Sequence, residues 1–190
     1  VGRIKQTDIS VPYKDNGYFY YTRYEEGKEY PVYCRKMESL DAPEQIMLNV
    51  NDMAKGYGFY QVVGLNVSED NKLLAFGVDT VSRRKYTVHF KNLETGEILA
   101  DEIPNTSGGA VWANDNKTVF YTTKDSTLRP YKIFKHILNT SPTEDVEVYH
   151  EADNTFNTYV YKSKSKRFIF IVSGSTLSSE YRYLEADTPD

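Results

Sequence analysis

The chain has 190 residues and a formal net charge of −4, from 23 Lys and Arg against 27 Asp and Glu. It has no Lys/Arg-rich tract, so no nucleic-acid partner is expected. A 39% hydrophobic and 26% charged composition excludes wholesale disorder, the single Cys34 excludes an internal disulfide framework, and the longest apolar stretches, such as Phe168 to Val172, are far too short for a membrane helix.

Aromatic residues make up 14% of the chain, 17 of them Tyr. Such residues suit pleated, half-buried surfaces, so the composition leans towards β structure. Tyr18 to Tyr24 reads as a strand. Glu25, Glu26 and Gly27 form its turn, and Tyr30 to Cys34 is the returning strand. Val50 to Lys55 is the only helix-like stretch, with Asn51 or Asp52 as cap and Gly56 as stop. Three further pairs follow: Lys72 to Val78 with Tyr86 to Phe90, Thr118 to Thr122 with Tyr131 to Lys135, and Phe168 to Val172 with Tyr181 to Leu184.

The spacing of these pairs carries more than the pairs themselves. Asp70-Asn71-Lys72 opens one apolar strand, and Asp115-Asn116-Lys117 opens another 45 residues later. Tyr86 and Tyr131, Leu93 and Leu138, and Thr95 and Thr140 keep that interval. Lys164-Ser165-Lys166 matches the turn again, and Asp15-Asn16-Gly17 precedes Tyr18 in the same way. Asp-Asn and Asn-Gly tolerate the left-handed backbone of tight hairpins. Recurrence at ~40–50 residues is the mark of a β-propeller, each blade burying its faces against its neighbours.

The expected fold is therefore all-β: a partial β-propeller over residues 1–190. Blade 1 is expected at about 10–50, blade 2 at about 60–104, blade 3 at about 108–150 and an incomplete blade 4 at about 155–187. A β-sandwich is the competing arrangement, but it does not demand a register held over 45 residues. The copies read as part of a larger propeller.

Chemistry is sparse. The Gly-x-Ser-x-Gly elbow of a serine hydrolase is absent. Ser173-Gly174-Ser175-Thr176 lacks the second glycine and reads as a hairpin turn. His89 and His136 fall on strands, and no pair among His89, His136 and His150 has ligand spacing with a cysteine; strand-surface histidines are expected. Cys34 reads as an inert strand thiol. Glu25-Glu26, and Glu151 with Asp153, read as solvated turns. No calcium loop is present, and no cofactor or metal is expected. The Asp-Asn-Lys turns lack the Gly-x-Thr-Trp continuation of sialidase aspartate boxes. Ser82-Arg83-Arg84, at a hairpin end, is either a solvated turn or a contact for a partner carboxylate, since guanidinium suits bidentate pairing.

Several segments, in order, resemble one family. They are Val11-Pro12-Tyr13, Gly17 to Arg35, Ser82 to Tyr86, Lys91 to Gly96, Val111 to Asp115, Tyr131 to His136 and Thr176 to Arg182. Together they resemble the propeller region of oligopeptidase B (protease II), in the prolyl oligopeptidase family of serine peptidases. The resemblance implies a seven-bladed propeller capping an α/β-hydrolase domain that cleaves short peptides after Arg or Lys. The family's catalytic residues lie in that hydrolase domain, C-terminal to every matched segment, so none carries over here. The family's N-terminal helical segment has no counterpart either.

Arg84 matches a family position near the interdomain face, which makes Arg83 and Arg84 candidates for an interdomain ion pair. Before Phe59-Tyr60, where some members have a glutamate, this chain has Gly58. The implied partners are the C-terminal hydrolase domain of the same polypeptide and short basic peptides as substrates. The implied compartment is the cytoplasm, and no targeting segment opens the chain. The propeller would restrict access to an enclosed active site. A stand-alone interaction scaffold and a carbohydrate-binding sandwich with tyrosine platforms are the other functions open to such a chain. Open blade faces lead us to expect self-association.

Overall fold

The structure, a computed structural model, describes residues 7–189. The chain divides into two compact units, Val1–Gly58 and Phe59–Asp190.

The first unit is an antiparallel meander of β1 (Tyr13–Asp15), β2 (Tyr18–Arg23), β3 (Val32–Met37) and β4 (Gln45–Asn49), paired in chain order. Asn16 at φ +44° and Gly17 at φ +82° make the two-residue turn between β1 and β2, which pairs Asp15 with Tyr18. Both central residues need left-handed backbone, which explains the Asn-Gly pair. Tyr21, Val32 and Cys34 form a small buried cluster. The expected helix is shorter: α1 spans Val50–Met53. Its cap is Asn49 rather than Asn51 or Asp52. Asn49 holds extended backbone while its side chain accepts from the Asn51 amide.

In the second unit, seven strands form one sheet: β5 (Gln61–Val67), β6 (Leu73–Asp79), β7 (Tyr86–Asn92), β8 (Ile98–Trp112), β9 (Thr118–Lys124), β10 (Pro130–Ile137) and β11 (Val146–His150). A second sheet has three: β12 (Asn157–Lys162), β13 (Phe168–Gly174) and β14 (Ser179–Glu185). The all-β expectation stands. β8 runs continuously through residues 104–108, between the expected blades 2 and 3. One end of β8 pairs with β7 and the other with β9, and Thr106 pairs with both Tyr86 and Thr123.

Backbone hydrogen bonds reveal the repeat directly. Leu93 N–H donates to the Lys72 carbonyl at 2.7 Å, Leu138 to Lys117 at 2.9 Å and Ala186 to Arg167 at 2.7 Å. In the first unit, Glu38 donates to Gly17 at 2.7 Å. Asn71, Asn116 and Lys166 take the left-handed position of their turns, at φ +64°, +57° and +63°. The fourth turn is therefore one residue out of step with the sequence match, which placed Ser165 opposite Asn116. The match aligned Lys166 with Lys117, but the bonds from Ala113 to the Thr118 carbonyl and from Ser163 to the Phe168 carbonyl close turns of equal length and set Arg167 opposite Lys117.

Apolar faces pack between successive repeats of this unit. Ala75, Val88, Phe90, Ile103, Trp112, Val119 and Tyr121 form one core between β6–β7 and β8–β9. Phe120 and Ile133 face the other way and meet Ile169, Ile171 and Ala186 in a second core. Thr118 to Tyr121 are all buried because β9 is covered on both faces, as a continuous apolar run leads one to expect. Gly64, at φ +64°, marks the bulge of β5. A Cβ on Gly64 or Gly77 would collide with the Gly108 carbonyl, so glycine lets β8 cross close over β5 and β6.

Candidate functional site

Arg83 and Arg84 lie together in the turn between β6 and β7. The turn is organised by Asp79, whose buried carboxylate accepts from the amides of Val81 at 2.8 Å, Arg83 at 2.9 Å and Arg84 at 2.7 Å. Ser82 and Arg84 are left-handed, at φ +58° and +54°. Three charge-assisted bonds hold this unfavourable backbone in place. Both guanidinium groups point to solvent, and neither makes an ion pair among the described residues.

Lys124, at the end of β9, donates through Nζ to the Arg84 carbonyl and lies 5.2 Å from the centre of the Tyr86 ring. Burial, helped by the Arg84 charge and opposed by Asp79, holds the Lys124 ammonium below the ordinary lysine range. Burial, then the Asp79 charge, raises the Tyr86 phenol. A polar pocket of about 300 Å³ adjoins the turn, lined by Lys85, Asn105, Lys124, Asp125, Ser126 and Leu128. The cluster is a basic ledge that leaves Arg83, Arg84 and Lys85 exposed on an ordered turn.

A second concavity, of about 440 Å³, runs between β5 and β12 across β8. Gly64, Asn66, Gly109, Tyr159, Tyr161 and Lys162 are among the residues that line it. Tyr159 and Tyr161 stack, with ring centres 6.4 Å apart.

The remaining sequence candidates are structural. Gly174 pairs with Ser179 across the serine-rich turn, and the Ser175 hydroxyl bonds within that turn. Cys34 is fully buried, and burial, then Glu44, pushes its thiol up to about 12. Glu25 pairs with Arg23 at 2.7 Å, Glu151 accepts from Tyr149, and Asp153 caps its own loop through Thr155. No group of three metal-ligating side chains occurs among the described residues.

His136 corrects the expectation of a strand-surface histidine: it is fully buried. Its Nδ1 lies 2.7 Å from Asp145 and its Nε2 3.3 Å from Asp101. Tyr121 donates to the other Asp145 oxygen at 2.7 Å, Asn139 N–H donates to Asp101 at 2.6 Å, and Phe90 stacks on the ring. Its own partners come from β7, β8 and the segment before β11, and β9 joins through Tyr121, a convergence that strand periodicity does not show. His89 is half-buried beside Glu102, and burial lowers its pKa. His150 is exposed.

This repeat of antiparallel hairpins defines a propeller-type domain. The match to known proteins places it: residues 1–190 correspond to the prolyl oligopeptidase N-terminal β-propeller domain, and the chain belongs to that family. It is 41% identical over its whole length to dipeptidyl aminopeptidase BI of Pseudoxanthomonas mexicana, and 32% identical to protease 2 of Moraxella lacunata. It spans 28% of the length of each. Among solved structures, oligopeptidase B from Leishmania major is similar at a TM-score of 0.92 and 32% identity, over 98% of this chain and 27% of that one.

Proposed function

We propose that this chain is the propeller segment of a serine oligopeptidase that cleaves short peptides after Arg or Lys, and that it restricts substrate size by covering the active site. The observation that carries the reading is the match of the whole chain to a peptidase propeller, together with relatives named protease 2 and oligopeptidase B. Steric exclusion needs a rigid wall rather than a reactive group, and the interlocked repeats supply one. The partner is the hydrolase domain of the same polypeptide, approached through Arg83 and Arg84, and the compartment is the cytoplasm.

A second reading has its own support. The relative at 41% identity is named a dipeptidyl aminopeptidase, so the parent protein would release dipeptides from free N-termini. Two reporters separate the readings in the full-length protein. An N-blocked arginyl amide is cleaved by an endopeptidase but not by a dipeptidyl aminopeptidase, and an unblocked X-Arg amide supports the second reading if it alone is cleaved. Turnover of neither, by a folded protein, overturns both. The 190-residue chain alone cleaves neither.

A further inference from the structure

The groove between β5 and β12 is bridged by charge at one end. Glu69 follows β5 in the turn of one hairpin. Lys162 ends β12, and Lys166 stands in the turn after it. Lys162 Nζ lies 2.7 Å from Glu69 Oε1, and Lys166 Nζ 2.9 Å from Oε2. The side chains of Glu69 and Lys162 are only 22% and 13% exposed, so solvent screens this pair less than an open surface pair. Burial alone would raise the Glu69 carboxyl, yet the two ammonium groups hold it below the usual range.

The topology of this contact differs from its surroundings. Successive turns are joined stepwise: the Asp70 amide donates to Asn116 Oδ1 at 3.0 Å, and Asn114 Nδ2 donates to the Lys166 carbonyl at 3.1 Å. The Glu69 cluster skips the repeat of β8 to β11 and ties β5 directly to β12. Lys162 lines the groove and Glu69 leaves the opposite wall, so the cluster straps the two walls together.

We propose that Glu69 is a determinant of substrate size: its bonds to Lys162 and Lys166 fix the width of the groove and so limit which peptides pass along it. The ligand class is an extended peptide. Both walls are edge strands of their sheets, and edge strands offer backbone groups to an extended chain. The proposal rests on the size-filter reading above.

The test is Glu69→Gln in the full-length protein, which removes the charge and keeps the shape. We expect kcat/KM for a short reporter peptide to stay within about twofold, while that for a long unstructured peptide rises about fivefold. An unchanged long-to-short ratio overturns the size role. Melting temperatures of Glu69→Gln, Lys162→Met and the double variant test the strap independently of activity. Losses in the double variant smaller than the sum support direct coupling, and additive losses overturn it. Wild-type protein inactive on both peptides overturns the peptidase reading and the size role with it, and the melting cycle still decides the strap.

Discussion

Asn116 accepts the backbone amide of Asp70 through its Oδ1 at 3.0 Å, which joins two turns that hold the same place in successive repeats. The same residue sits at φ +57° and donates from Nδ2 to the Asn114 carbonyl. One side chain thus sets its own turn and ties it to the preceding one. Asn116→Gly keeps the backbone freedom and loses the bond, whereas Asn116→Ala loses both. We expect Asn116→Ala to lower unfolding free energy by about 1–2 kcal/mol and Asn116→Gly by less. Equal losses in denaturant melts would show that the inter-turn bond alone matters.

His136 separates two buried carboxylates. Replacing it with Gln leaves Asp101 and Asp145 with one amide between them instead of an imidazole bonded on both sides. We expect a loss of about 2–4 kcal/mol. The half-buried His89, treated the same way, is expected to cost much less. Urea titration of both variants checks the contrast.

Cys34 is expected to resist thiol reagents at pH 8 in the native chain and to react once urea unfolds it. Its pKa is raised in the folded state, to about 12. The folded thiol therefore keeps its proton at a pH where the unfolded thiol has lost it. This contribution to stability is complete below the ordinary thiol range and declines as pH rises from there towards about 12. Rapid labelling of the native chain at pH 8 would contradict the burial of Cys34.

Arg84 tests the basic ledge. Its backbone is held by Asp79 and its guanidinium is free to reach a partner. In the full-length protein, Arg84→Gln is expected to lower kcat/KM about fivefold, with an unchanged melting temperature for the propeller. Unchanged kinetics would leave the turn as a solvated hairpin end.

The outer face of the three-stranded sheet predicts association of the isolated chain. Tyr159, Tyr161, Tyr181 and Tyr183 are exposed there, and Phe170 touches both Tyr161 and Tyr183. Apolar patches of this kind draw copies together. Light scattering of the 190-residue chain should show a mass that rises with concentration, and Tyr183→Lys should abolish the rise. A strictly monomeric chain at high concentration would overturn the expectation.

Strands rich in apolar residues were legible because their neighbours bury them: β9 and β13 stand out as unbroken runs for that reason. The remaining strands were obscured by local chemistry. β8 contains Pro104, Gly108 and Gly109, residue types depleted in strands, yet glycine is what its close crossing requires. β11 is largely exposed and β12 half so, which left only weak alternation to read. The Arg83–Arg84 turn was visible as a charged hairpin end, but not the Asp79 carboxylate that shapes it. Nothing near His136 in sequence announces Asp101, because a bond across 35 residues depends on strand register.

The continuity of β8 bears on how such chains can change over generations. Propellers diversify by gaining or losing hairpin units, and a clean excision needs a loop at each boundary. Between the β5–β8 and β8–β11 repeats, such a cut falls in a fifteen-residue strand whose two halves serve different neighbours. A deletion there would strip β7 and β9 of a partner at once. These two repeats are therefore expected to be inherited as a pair, and recombination within this region is expected to fall in the turns on either side of them.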